Sequence, residues 1–447
     1  MTATRRDSLS ATAESTLGAL LPGIGEHPLR RTVAAELHAR PFIALQSPVR
    51  VSHLAMVSDV AEADWAHVAA LCRRFGVDPP SPDAPFFYRD FGPFRLRWER
   101  HSEFSTYTVF VAGPGQAPFE DPALRALPGD WLCRLPGQLL VGTHLLLEDR
   151  GVPPRSVAEV ERLYGTDTLA CSEVAEGAAL VWSDFRLHKD GFGRMLVQDR
   201  SLAPRRAGRL VQRLLEIETY RMMALLAFPL ARELAPEITR NERVIERLTQ
   251  RMTSAQDRDG DHALLQELSD VAAEVERLSA RASFRLSAAR AYNTLVIKRI
   301  ENLRERRIGD LQTIGKFMER RLAPAMRTCE SVAERLEGLS RRVSRAGNLL
   351  RTRVDVALEA QNRDLLASMN RRAKMQLHLQ QTVEGLSVVV LSYYAMGLLG
   401  YALQALTALG VPLPPTLDKG LALPFVVGGL WLAMLWQRRR LYGADTA

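Results

Sequence analysis

Residues 384–415 read EGLSVVVLSYYAMGLLGYALQALTALGVPLPP, and between Glu384 and Asp418 the chain carries no charge. The uncharged run over 386–409 is 24 residues long, and a membrane-spanning helix needs about 20. After GVPLPPTLDKG comes LALPFVVGGLWLAMLW, 16 residues that end in QRRR. That second run is short alone, and its flanking Leu and Pro residues with some tilt bring it to spanning length. Arg371, Arg372 and Lys374 precede the first run and three arginines at 438–440 follow the second, while the loop between holds only Asp418 and Lys419. The positive-inside rule then places both ends in the cytoplasm. The expectation is a transmembrane hairpin over 385–437, with helices about 386–409 and 420–436, followed by a basic cytoplasmic tail at 438–447. A buried hairpin in a soluble core is the alternative, and so long an uncharged run is unusual there.

Upstream, residues 204–384 form a helical zone, read as a coiled-coil stalk. Leu234, Ile238, Asn241, Ile245, Leu248 and Met252 step by four and three, and Leu264, Leu268, Val271, Val275, Leu278 and Ala282 repeat the pattern after SAQDRDGDH. That is heptad spacing. Asn241 on the seam would restrict register. Pairing within the chain and pairing between chains are both open. Pro324 suits the first turn of another long helix. No proline follows it before Glu384, and Leu336, Leu339, Val343, Leu350, Val354, Leu358 and Leu365 mark an apolar stripe. This helix is expected to run on into the quoted stretch.

The first part, residues 26–203, is rich in Pro, Gly and aromatics and switches periodicity repeatedly. RVSHLAMVS from Arg50 reads as a strand and ADWAHVAALCRRFG from Ala63 as a short amphipathic helix. FRLRWERHSEFSTYTVFVAG from Phe94 alternates apolar and polar residues on two strands with a turn near His101 or Ser102. GAALVWSDFRLHKDGFGRMLVQD from Gly177 does the same, with KDG at Lys189 as its turn. The fold class is therefore mixed: an α+β cytoplasmic domain, a helical stalk and a membrane hairpin. Residues 1–25 read as a flexible lead-in and not as a secretory signal, because their apolar run is short and broken.

The net charge of +8 over 447 residues favours anionic partners. Four cysteines, Cys72, Cys133, Cys171 and Cys329, form no Cys-x-x-Cys pair, which disfavours a thiol zinc site and fits a reducing compartment. Phosphate loops, Gly-x-Gly-x-x-Gly, His-Glu-x-x-His and Gly-x-Ser-x-Gly are all missing, and no nucleophile–base pair is recognisable. An enzyme is not expected.

Three polar clusters could bind a ligand. EHPLRRTVAAELHARPF holds His27, Arg30, Glu36, His38 and Arg40, the last three on one face if the segment is extended; it reads as an anion or metal site or as a structural network. WERHSEFSTY places Glu99, His101 and Glu103 on one side of a strand or turn, suited to a divalent cation or simply solvated. WSDFRLHKDGFGR adds Asp184 and His188 beside a turn. In the membrane run, Ser387, Ser392, Tyr393, Tyr394, Tyr401 and Gln404 are the polar candidates, for packing or for lining a pore, and Gly397 and Gly400 permit close helix approach. No cofactor is expected, and a divalent cation is left open.

HPLRRTVAAELHARPF, WSDFRLHKDGFGRMLVQD and LQQTVEGLSVVVLSYYAMGLLGY together resemble a bacterial family of predicted membrane-anchored proteins, domain of unknown function 3422. The resemblance extends from Glu26 to Tyr401 and carries no activity. In architecture the chain is also similar to CorA-type magnesium transporters, which have a cytoplasmic α/β domain, stalk helices running into the first membrane helix, and a C-terminal hairpin. That resemblance implies an oligomeric ion-transport or ion-sensing protein. The Gly-Met-Asn signature of those transporters is missing, however, and Gly400, Tyr401, Ala402 and Leu403 stand in its place. The alternative expectation is a membrane-tethered scaffold or sensor with a ligand-binding cytoplasmic domain. Either way the expected location is the bacterial inner membrane, multi-pass. The expected partners are the lipid bilayer and further copies of the chain, with no nucleic acid.

Overall fold

The computed structural model describes residues 27–30, 33–34, 42–58, 61–115, 117–254, 258–409 and 419–442. The described elements begin with β1 (Val49–Val57), α1 (Ala61–Phe75), β2 (Phe86–Asp90), β3 (Arg95–Arg100) and β4 (Phe104–Ala112). Next come α2 (Gly129–Leu132), β5 (Gln138–Glu148), α3 (Val157–Tyr164), β6 (Ala170–Val174), β7 (Ala179–Ser183) and β8 (Gly193–Asp199). Helices follow to the end: α4 (Pro204–Leu225), α5 (Ala227–Ser254), α6 (Arg258–Glu301), α7 (Ile314–Arg321), α8 (Ala323–Ala408) and α9 (Lys419–Tyr442). The chain divides into a unit of Met1–Gln250 with Glu267–Arg345 and a unit of Arg251–Gln266 with Ala346–Ala447.

In the first unit the strands form one sheet in the order β2-β3-β4-β1-β5-β8-β7-β6. Neighbours are antiparallel apart from the parallel pair β5–β8. Alternation along β3 and β4 decides which side chains meet, since successive residues of a strand face opposite ways. Trp98 pairs with Tyr107, and Tyr107 with Leu54. These three are buried on one face with Val68, Leu71 and Cys72 of α1. On the opposite face the same register sets Arg97, Thr108 and His53 in a row, with Glu99 beside Thr106.

At the other end of the sheet, Leu146, Leu180, Leu196 and Trp182 pack with Val160 and Tyr164 of α3. A capping box starts α3: the Ser156 side chain accepts from Glu159 N–H, and Glu159 reaches back to the Ser156 backbone. The edge strand β6 is not left open. Cys171 N–H donates to the Gln312 carbonyl at 2.9 Å and Arg306 N–H to the Glu173 carbonyl at 2.7 Å, so the segment between α6 and α7 covers it.

Helix α4 lies on the face that carries His53 and Arg97. Its Gly208 permits the segment at residues 42–45 to cross closely: a Cβ there would sit 1.6 Å from the Ile43 carbonyl oxygen. Leu45 N–H also donates to the Pro204 carbonyl at 3.0 Å.

The heptad positions are largely buried within the one chain. Leu234, Ile238, Ile245 and Leu248 of α5, Leu268, Val275 and Leu278 of α6, and Leu336, Leu339 and Val343 of α8 are all in the core. Ion pairs fix the order of these helices: Arg281–Glu233 at 2.6 Å joins α6 to α5, and Arg335–Glu242 at 2.6 Å joins α8 to α5. Asn241 does not act as a buried register lock. It is half-exposed, and its Nδ2 donates at 3.0 Å to the Glu237 carbonyl of its own helix. A side chain with a backbone acceptor one turn away has no need of a partner across the seam.

In the second unit, Arg353 donates to the Met252 carbonyl at 2.6 Å and pairs with Asp261 at 3.4 Å. Helix α8 continues unbroken to Ala408, with Pro324 in its first turn, as the sequence predicts. One helical stretch, Ala323–Ala405, is long and apolar enough to cross a membrane. Its Leu386, Val389, Leu391, Leu398, Tyr393, Tyr394 and Tyr401 side chains are exposed, as are Gly397 and Gln404. Ser392 and Gly400 are buried. Ser387 and Ser392 donate to the Val383 and Val388 carbonyls of their own helix. Within α9 the apolar part is the shorter Leu423–Met434; at 1.5 Å per residue it falls short of a hydrocarbon core about 30 Å thick. The expected loop of the hairpin lies outside the described residues.

Candidate functional site

A cavity of about 300 Å³ lies on the α4 face of the sheet. Its floor is one parity of β4: Phe104, Thr106, Thr108 and Phe110. His53 of β1 and Arg97 and Glu99 of β3 flank that floor. Helix α4 contributes Gly208, Val211, Gln212, Leu215, Glu216, Thr219 and Tyr220, whose spacing of three and four is a single helix face. Phe42, Ile43 and Leu45, with Arg213, Arg299 and Asn302, complete the wall. One side is aromatic and aliphatic, and the other is charged.

The charged side is a chain of hydrogen bonds. Arg97 donates from Nη2 to Glu99 Oε1 and from Nη1 to Gln212 Oε1, each at 2.8 Å. Gln212 Nε2 donates to Glu216 Oε1 at 2.7 Å, and Arg299 Nε donates to the other Glu216 oxygen. Arg97 is only 4% exposed, and its guanidinium stands over the Phe86 ring at 5.4 Å. Two polar atoms of the lining residues are unused: Arg97 Nε and Thr106 Oγ1 lie buried beneath the surface and have no partner among the described residues. A buried polar group without a partner is costly, on the order of 1–3 kcal/mol. Such a group calls for strain, a water or another partner to account for it.

His53 is already engaged on both ring nitrogens. Thr219 donates its hydroxyl hydrogen to the Leu215 carbonyl at 2.9 Å, so it must accept from His53 Nε2–H, also at 2.9 Å. Nδ1 then accepts from Thr108 Oγ1 at 2.8 Å. Burial first, and Arg97 and His101 second, lower its pKa to about 3. His53 is a neutral strut. Arg213 donates to the Asn302 carbonyl at 3.1 Å, and burial together with Arg209 and Arg299 holds its guanidinium below the ordinary arginine range.

Of the residues singled out in the sequence, Glu99 and His101 line the cavity, His101 stacked on Phe104 at 4.3 Å. Glu103 points elsewhere: it takes an ion pair from Arg285 at 2.7 Å and a hydrogen bond from the Tyr292 hydroxyl at 3.4 Å. Asp184 and His188 approach each other at 3.2 Å, away from the cavity lining. Asp184 also accepts from Arg186 N–H at 3.3 Å. His27 and Arg30 are exposed, and His27 Nδ1 accepts from Leu29 N–H at 3.2 Å. Glu36, His38 and Arg40 lie outside the described residues. Among the described residues no group of three or more His, Cys, Asp or Glu side chains is placed to hold a metal ion.

Arg97, Thr106, Gln212, Glu216 and Arg299 were not singled out from the sequence. A usable signal existed: Phe104, Thr106, Thr108 and Phe110 are the second parity of the strand whose first parity, Tyr107, Val109 and Val111, is apolar. An α-helix whose Gly208, Gln212 and Glu216 repeat at four residues then supplies a matching polar face.

The family model described as "Protein of unknown function (DUF3422)" matches residues 25–441. The chain belongs to the DUF3422 family. No curated protein and no solved structure matches it. Neither comparison supports the similarity to CorA-type transporters.

In this DUF3422 chain the cavity can present charge-assisted donors to a polar group and aromatic rings to an apolar one. The buried thiols lie elsewhere and are poor nucleophiles: burial pushes Cys72 up to about 11 and Cys171 up to about 12.

Proposed function

We propose that this chain is a membrane-anchored binding protein: the apolar run of α8 enters a lipid bilayer, and the sheet unit holds a small ligand. The observation that supports anchoring is the exposure of the run. Its 18-residue window has a mean hydropathy of 1.7, yet only 11% of that window is buried. Apolar surface left in water costs about 25 cal/mol per Å², and a bilayer removes that cost. The Ser387 and Ser392 hydroxyls bond within the helix, which suits a segment without water. In this reading α9 makes a second, tilted pass, Trp431 and Trp436 sit at the interface, and both termini are cytoplasmic in a bacterial inner membrane. Copies of the chain assemble through the exposed apolar positions of the uncharged run of α8 and through Gly397, while nucleic acid and catalysis play no part.

The full chain expressed in a bacterium should stay in the membrane pellet through an alkaline carbonate wash. Recovery in the supernatant would overturn the anchor.

The unbroken α8 also favours a second reading, an oligomeric ion transporter of CorA-like architecture. Against it stand the missing Gly-Met-Asn and a run without Asp, Glu, Lys or Arg to serve as relay or counter-ion. Divalent-cation flux into liposomes holding the purified chain would establish transport; no flux leaves the binding reading in place.

A further inference from the structure

The cavity's charges do not balance. Arg97, Arg213 and Arg299 bring three guanidinium groups, against the two carboxylates of Glu99 and Glu216. With the two lining histidines, His53 and His101, counted as neutral, one positive charge is left over. Glu99 and Glu216 are already satisfied by Arg97, Gln212 and Arg299, whereas Arg97 Nε and Thr106 Oγ1, both buried, have no partner. A ligand that completes this surface brings acceptors and one negative charge. Arg213, crowded by other arginines and partly stripped of water, gains most from such a neighbour.

Size and shape narrow the class. About 300 Å³ is the volume of roughly ten waters, and it lies at the lower end of small-molecule sites. Phe42, Phe104 and Phe110 line it, a surface that a bare inorganic anion would leave unused. A dianionic phosphate would exceed the single spare charge. A cation would meet the wrong sign, and no three-ligand metal cluster occurs among the described residues.

We propose that the cavity binds a small organic monocarboxylate: the side chains lining it shift to open the covered Arg97 Nε and Thr106 Oγ1 to the carboxylate, and the apolar body lies among Phe42, Phe104 and Phe110. This rests on the binding reading above and deepens it by naming the ligand class. Charge-assisted bonds to a carboxylate are about twice as strong as neutral ones, so the site should distinguish an acid from its uncharged twin.

The experiment is calorimetric titration of the full chain in nanodiscs with acetate, isovalerate, benzoate and 3-phenylpropionate. The neutral 3-phenylpropanamide and inorganic phosphate are titrated in parallel. The expected result is saturable binding that strengthens from acetate to the larger acids, with the amide at least tenfold weaker than its acid and phosphate silent. Thr106→Val keeps the shape and removes the hydroxyl; it should weaken the best acid about tenfold while the melting temperature holds. Arg97→Lys should abolish binding, and Arg213→Gln, at the more open rim, should weaken it without unfolding the chain. Equal binding of acid and amide would overturn the carboxylate and leave a ligand-binding cavity standing. Binding of phosphate alone would overturn the organic ligand. Silence from the acids, the amide and phosphate alike would overturn both the class and the binding reading.

Discussion

Both ring nitrogens of His53 are occupied, Nε2 by Thr219 and Nδ1 by Thr108, and burial, with Arg97 and His101 nearby, penalises a second proton. Its folded pKa of about 3 lies below the ordinary value of 6.5. The unfolded chain therefore binds a proton more readily, and the stability His53 confers is complete above pH 6.5 and drains away as pH falls toward 3. The slope is about 1.4 kcal/mol per pH unit for one proton. Urea unfolding of wild type and His53→Gln at pH 7, 6, 5 and 4 should show the variant losing less stability per unit of acidification; parallel slopes would contradict the assigned burial. This residue carries no signature in RVSHLAMVS beyond strand alternation. Glu99 and His101 were legible as chemistry because they crowd into one short stretch. Arg97, two residues from its hydrogen-bond chain's nearest acid but over a hundred from Gln212 and Glu216, became a site residue only through strand register and the placement of α4. Local sequence contains neither.

At the scale of elements, periodicity carried most of the fold. The β3–β4 and β7–β8 hairpins and the onset of α8 at Pro324 were readable because alternation, turn residues and proline act locally. The apolar stripe of α8 was readable too, but its partners were not. Leu339 is 0% exposed and Leu358 is 50% exposed, although the two belong to the same sequence pattern. Removing a packed Leu side chain costs about 2–5 kcal/mol through lost burial and the cavity left behind. Leu339→Ala should lower unfolding free energy by that amount, whereas Leu358→Ala should change it by less than about 0.5 kcal/mol, as surface changes do. Chemical denaturation of the two variants checks this; a large loss at Leu358 would mean that another surface covers it. The seam at Asn241 shows the same limit. Heptad spacing marks an apolar stripe, and only three-dimensional packing says that the stripe is filled by helices of the same chain.

For the whole molecule, the decisive feature is an apolar run that folding leaves exposed. Composition could reveal the run because charge is absent from it over its full length. Composition could not reveal what α9 does, since 12 apolar residues at Leu423–Met434 fall between a core helix and a span, and tilt and packing decide such cases. The account requires that Leu391 and Leu398 lie in hydrocarbon. An arginine at a helix centre in the membrane costs about 2.5–3.5 kcal/mol, whereas at a water-exposed site it costs almost nothing. The measurement is flotation of the purified chain with phospholipid vesicles on a density gradient, comparing wild type with the double variant Leu391→Arg/Leu398→Arg. Wild type should rise with the vesicles, and the variant should remain largely at the bottom with its sheet unit folded. Wild type staying at the bottom, or the variant floating equally well, would contradict membrane insertion by α8.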